Sequence, residues 1–234
     1  MFEREGIGYD STISIFSPEG RIMQVEYATK TVKSGMPVVG IKTPEGIAII
    51  AIHRYEPLRI IDAPEKIMII DNHIIAGFAG ITGDARILLN WARETAQSYT
   101  YTYGEPIPVE RLVRDISDVK HSYTQHAGVR PFGVAFLIGG IDSAGIHLFS
   151  TDPSSTYFSY RATAVGMYSD EIRKSLVNKI GGINTIKDAI STAVDILKET
   201  KERVDEQTLE IGIVDSSGAR ILSYSEIKNL LSKG

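Results

Sequence analysis

The sequence predicts an α+β fold in which antiparallel sheets are sandwiched between layers of helices. Three observations lead there. Apolar runs come in pairs around short turns rich in Pro, Gly, Asp and Asn, as hairpins do. Helical periodicities also come in pairs, so successive strands are not each separated by a helix and a doubly wound parallel sheet is excluded. The first strands are almost wholly apolar instead of alternating, which requires cover on both faces of their sheet.

In chain order, Ile13 and Ile15 alternate with small polar residues for too few positions to make a strand, and Ser17-Pro18-Glu19-Gly20 then makes a turn. From Arg21 to Lys33 the residues Ile22, Val25, Ala28 or Thr29, and Val32 recur at helical spacing, with Lys33 in the last turn and Gly35 placed as a C-terminal cap. That is a helix of about four turns. Met36 to Lys42 and Ile47 to Ile52 flank Thr43-Pro44-Glu45-Gly46 as a hairpin, and Lys66 to Ile70 and His73 to Ala79 flank Asp71-Asn72 as a second. Thr82 is placed to cap a helix with Asp84 in its first turn and a stripe through Ala85, Leu88, Leu89, Ala92, Ala96 and Tyr99. Gly104 and Pro106 end it, and Pro108 opens a second helix through Val109, Leu112, Val113, Ile116, Val119 and Tyr123. The two form an antiparallel pair.

Strands return at Val134 to Ile141 and Ile146 to Ser150 around Asp142-Ser143-Ala144-Gly145, followed by a single strand from Thr156 to Val165. Ser169 starts a helix that stops at Gly181-Gly182, and Thr185 with Asp188 reads as a capping box for the next, through Ile190, Ala193, Val194 and Leu197. Leu209 to Val214 and Arg220 to Tyr224 are the last strands, and a short helix from Ser225 closes the fold.

Composition narrows the function. A chain of 234 residues, 43% hydrophobic and 23% charged, has material for one well-packed domain. Net charge is −4, with no basic patch, so nucleic acid and anionic membrane surfaces are not expected partners. No apolar run is long enough to cross a bilayer and no charged-then-apolar signal opens the chain, which points to the cytoplasm. The absence of cysteine removes disulfides, thiolate metal sites and cysteine nucleophiles together. His121 and His126, five apart, lie about 140° from each other on a helix, so no metal site is expected from them. Gly77 to Gly83 lies between strand and helix as a phosphate loop does, but its spacing matches neither dinucleotide nor Walker patterns, and Asp84 puts negative charge where phosphate would sit. Tyr99, Tyr101 and Tyr103 lack surrounding Arg or Lys and are read as packing at a helix end. No cofactor is expected.

The wording of the N-terminal region adds what composition does not. Tyr9-Asp10, Phe16-Ser17-Pro18-Glu19-Gly20-Arg21 and Gln24-Val25-Glu26-Tyr27-Ala28 closely resemble the N-terminal signature of proteasome α subunits, the non-proteolytic outer-ring subunits of the 20S core particle. The resemblance implies a four-layer αββα sandwich of the N-terminal-nucleophile hydrolase type, with an arm and helix over residues 1–35 and a single sandwich domain over 36–234. It implies partners too: other α subunits in a seven-membered ring, β subunits that carry the threonine nucleophile, a ring ATPase that docks through its C-terminal tails, and unfolded protein substrates. By the same resemblance Tyr9, Asp10, Pro18 and Tyr27 match the gate cluster. Lys66, Gly35 and Ile81 match the activator-docking pocket, where an ammonium would meet a free carboxylate. His126, Ala127, Gly128 and Val129 match the loop that narrows the channel inside the ring.

Two positions depart from the pattern. Ser11 stands where Arg usually follows Tyr-Asp, and a hydroxyl cannot make the salt bridges of a guanidinium. His126 stands where archaeal members more often carry Tyr, which in a ring puts seven imidazoles around one opening. Against the proteolytic β subunits, Met36 and Pro37 stand near the active threonine and its neighbour, Ile52 stands about where a carboxylate is kept, and Lys66 alone has a cationic counterpart. The N-terminal nucleophile mechanism needs a Thr, Ser or Cys at the first position of the mature chain. A self-processing hydrolase and a peptide-binding ring without β subunits remain the alternatives.

Overall fold

The computed structural model describes residues 16–58, 64–126 and 128–232. The turn at Ser17 to Gly20 closes with a Gly20 N–H donated to the Ser17 carbonyl at 2.8 Å. Helix α1 follows at Met23–Lys33. Its 11 residues make about three turns, one fewer than the periodicity suggested, because Ile22 is still extended and acts as the N-cap. Ser34 is its C-cap, and Gly35 is glycine for a reason other than capping. A methyl on Gly35 would lie 2.6 Å from the Gly80 nitrogen, so the backbone approach there admits no side chain.

Strands β1 (Val38–Thr43) and β2 (Gly46–Ile52) form the first hairpin, and β3 (Ile67–Asp71) and β4 (Ile74–Gly80) the second. The helical pair is α2 (Thr82–Tyr103) and α3 (Val109–Gln125). Thr82 is the first helical residue and makes no cap; Ile81 is the N-cap, with no side-chain hydrogen bond. Gly104, at φ 73°, terminates α2 in the left-handed region as expected.

Strands β5 (Val134–Asp142) and β6 (Gly145–Thr151) follow. The single strand expected from Thr156 to Val165 is two, β7 (Tyr157–Ser159) and β8 (Ala162–Val165), and they belong to different sheets. The Tyr160 N–H still bonds the Leu148 carbonyl of β6 at 2.8 Å, whereas the Arg161 carbonyl already accepts from Lys42 of β1 at 2.7 Å. The chain thus steps from one sheet edge to the other between adjacent residues.

Helix α4 (Ser169–Lys179) and α5 (Ile186–Lys198) come next, the latter with both halves of the Thr185 and Asp188 capping box formed. Strand β9 (Leu209–Asp215) pairs with β10 (Gly218–Ile221), which ends earlier than expected because Ser223 and Glu226 form a second capping box that starts α6 (Tyr224–Leu231).

Among the described residues two five-stranded antiparallel sheets result, ordered β10-β9-β2-β1-β8 and β3-β4-β5-β6-β7. One apolar layer joins the first sheet to α4, α5 and α6, a second joins the other sheet to α2 and α3, and a third lies between the sheets and includes Val32 of α1. This is the four-layer sandwich. In the middle layer glycines of one sheet receive isoleucines of the other: a methyl on Gly139 would lie 2.5 Å from Ile47 Cγ2, and one on Gly77 2.7 Å from Ile49 Cγ2. Gly139→Ala is therefore expected to cost about 1–3 kcal/mol by overpacking. Adding Ile47→Ala, which removes the opposing methyl, should make the double variant less destabilised than the two single losses added together, as read by urea denaturation midpoints.

Candidate functional site

The residues that the sequence singles out for docking converge on the C-terminal end of β4. The Lys66 carbonyl accepts the Phe78 N–H at 3.2 Å, Gly35 packs against Gly80, and Ile81 follows directly, its N–H bonded to the Gly133 carbonyl at 2.9 Å. Three points distant in the chain thus sit around one strand end.

Lys66 is held from the opposite sheet. Glu210 takes the first position of β9 that faces between the layers, and its carboxylate accepts the N–H groups of Glu65, Lys66 and Ile67 at 2.7, 2.8 and 3.0 Å. Burial pushes the Glu210 carboxyl above its ordinary range, and those backbone donors oppose the rise. Lys66 is 9% exposed, and its ammonium stands 4.8 Å from the centre of the Phe78 ring. Among the described residues that ammonium has no hydrogen bond and no ion pair within 4 Å. Burial lowers its pKa to about 8, with Glu210 and Glu65 opposing.

Next to this strand end lies a second junction. Asp84, in the first turn of α2, is 7% exposed and accepts two hydrogen bonds from the Arg130 guanidinium, at 2.7 and 2.8 Å. The same carboxylate accepts the Gly133 N–H at 2.8 Å. Burial would raise the Asp84 carboxyl, but Arg130 and Gly133 hold it below the usual range. The chain from Arg130 to Gly133 is thereby fastened to the N-terminus of α2.

His126 is the C-cap of α3, exposed, with Nδ1 2.6 Å from the Ser122 carbonyl oxygen. Gly128 takes φ 88°. Val129 is half-buried and leads into Arg130. Ala127 lies outside the described residues, as do Tyr9, Asp10 and Ser11. Pro18 is exposed in its turn, and Tyr27, 39% exposed on α1, has the Lys30 ammonium 5.5 Å from its ring centre. Met36 is half-buried, and Gly166 closes on it so tightly that a methyl there would lie 2.7 Å from the Met36 carbonyl oxygen. Ile52 is fully buried, its N–H bonded to the Pro37 carbonyl at 3.1 Å. Of the tyrosines at the end of α2, Tyr99 packs into the core and against Tyr103, with ring centres 4.5 Å apart, but Tyr101 is 94% exposed, because it falls on the opposite side of the helix.

The chain matches the family model described as "Proteasome subunit" over residues 32–214, and a second model, for the N-terminal signature of A-type proteasome subunits, over 9–30. It belongs to the proteasome α-subunit family. A proteasome alpha subunit of Methanopyrus kandleri is 42% identical over 228 residues, spanning 96% of this chain and 92% of that one. One from Methanococcus maripaludis is 41% identical over 228 residues, 96% and 88% of the two chains, and one from Pyrobaculum aerophilum is 40% identical over 236, 100% and 97%. The signature match takes in Tyr9, Asp10, Pro18 and Tyr27, and the longer match takes in Lys66, Gly35, Ile81 and the 126–129 loop. No helix among the described residues is long and apolar enough to cross a membrane.

Two side chains of this proteasome α chain escape sequence reading. Glu210 looks like an ordinary acidic residue in a strand, and its partners are more than 140 positions away. Lys120 lies on the apolar face of α3, four residues after Ile116 and seven after Val113, where a lysine is easily passed over; it is fully buried, donating to the Val134 carbonyl at 3.0 Å and the Thr151 hydroxyl at 2.9 Å. Burial lowers its pKa to about 7, opposed by Asp152. In the unfolded chain lysine titrates near 10.4, so between about pH 7 and 10 the unfolded state binds more protons than the folded one and stability rises with pH. Urea midpoints should increase from pH 7 to pH 9, with Lys120 contributing about 2 kcal/mol and Lys66 less. Lys120→Met should retain less than half of that rise.

Proposed function

We propose that this chain is the non-catalytic α subunit that closes the outer ring of a 20S proteasome, gates entry to it and docks a ring ATPase for ATP-dependent degradation of unfolded proteins. Residues 1–35 serve as gating arm and helix, and 36–234 as the sandwich body. The chain joins other α subunits in a seven-membered ring through a heterologous interface, one surface meeting a different one on its neighbour. The α ring stacks on β subunits, which carry out peptide-bond hydrolysis. Met36, covered by Gly166 at the position matching the nucleophile, supports assigning the chemistry to those subunits. The particle works in the cytoplasm.

The observation that carries the docking role is the state of Lys66. A buried ammonium that rests on an aromatic ring, with no carboxylate in contact among the described residues, is a receptor for an anion from outside the chain. The free C-terminal carboxylate of an activator tail supplies that anion. Gly35 and Ile81 line its approach at the same strand end. Tyr9, Asp10, Pro18 and Tyr27 hold the arms in the open arrangement, and the 126–129 loop narrows the channel below.

Lys66→Ala is expected to leave ring and barrel assembly intact in negative-stain images while reducing ATPase-stimulated substrate hydrolysis by roughly tenfold or more, the loss that follows from removing one charge-assisted contact. Undiminished stimulation in the assembled variant would reject the docking assignment.

A further inference from the structure

The 126–129 loop has two unlike ends. Its first end is only the C-terminus of α3, where His126 meets the Ser122 carbonyl of its own helix. Its second end is clasped from another element. The Arg130 side chain is 57% exposed, but its guanidinium fork makes parallel bonds to a carboxylate whose side chain is 10% exposed. Arg130 also donates to the Pro131 carbonyl at 3.0 Å, which curls the chain back over its own side chain. Beyond it the Gly133 N–H is taken up by the same Asp84 carboxylate, and a methyl on Gly133 would lie 2.8 Å from Ile81 Cδ1. The stretch 130–133 therefore has one rigid setting, defined by the first turn of α2.

We propose that Asp84 and Arg130 are positioning residues for the 126–129 loop, and that this clasp sets the thickness of polypeptide the channel admits. The proposal rests on the reading of 126–129 as the channel constriction. The guanidinium fork fixes the direction in which the loop leaves Arg130, because two parallel bonds to one carboxylate remove the rotation that a single bond allows. With the fork removed, the chain keeps its attachment at the end of α3 while its Arg130 end is released. A ring multiplies that slack around a single opening.

The test uses the full particle assembled with its β subunits, with the arm deleted so that neither gate nor activator limits entry. Substrates are a fluorogenic tripeptide, a permanently unfolded protein, and the same protein carrying a chemically closed loop that doubles the chain thickness. For Arg130→Met, hydrolysis of the looped protein relative to the tripeptide is expected to rise at least threefold. Arg130→Lys, which keeps the cation but not the fork, is expected to fall between Arg130→Met and the parent. Gly139→Ala, which strains the sandwich away from the clasp, should leave the ratio unchanged, so that lost stability alone is not mistaken for a widened passage. If Arg130→Met does not assemble, Arg130→Lys carries the comparison. An unchanged ratio in the Arg130 variants beside an altered ratio in His126→Trp overturns the clasp and keeps the constriction. Unchanged ratios in all of them overturn both.

Discussion

A single buried carboxylate fixes the geometry of the strand end around which Lys66, Gly35 and Ile81 gather. Glu210 reaches from one sheet to the opening residues of the other, and three consecutive backbone N–H groups converge on it. Without an acceptor those donors would be left unsatisfied next to the interlayer core, each at a cost of about 1–3 kcal/mol. A backbone carbonyl could serve one of them, but two carboxylate oxygens serve all three. The strand that follows starts from a fixed point, and the orientation of Lys66 is inherited from it.

The two buried lysines make a useful contrast. Lys120 has found two protein acceptors and lies fully within the α3 layer, where it ties that helix to the ends of β5 and β6. Lys66 has an aromatic face and distant negative charge instead. Burying an ammonium so sparsely partnered is destabilising, and groups perturbed in this way cluster at functional sites. The difference lies in what the surroundings offer, since both are lysines beside a phenylalanine ring in the same apolar layer.

Much of the fold is legible in the sequence because its signals are local. Hairpin turns announce themselves within four residues, and the Thr185 and Asp188 box within one helical turn. What stays hidden depends on partners far along the chain. The step at Tyr160 and Arg161 leaves no trace because strand propensity is continuous on both sides of it, and only the identity of the neighbour changes. Gly35 reads as a cap from its position after a helix, when the approach of Gly80 is the reason for it. For the candidate site, the signature residues and Lys66 are visible by resemblance, whereas Glu210, Lys120 and the pairing of Asp84 with Arg130 require tertiary proximity to appear. In sequence alone Asp84 is no more than an obstacle to phosphate.

The glycine notches between the sheets have a consequence for size. Because isoleucine branches on one sheet seat in gaps on the other, sheet separation is set by the fit of a methyl group against bare backbone, and there is no room for one added atom at Gly139 or Gly77. Each subunit is accordingly built to a narrow tolerance along the direction that crosses its layers. If the chain takes its place in the proposed ring, that tolerance sets how evenly its flanks meet their neighbours.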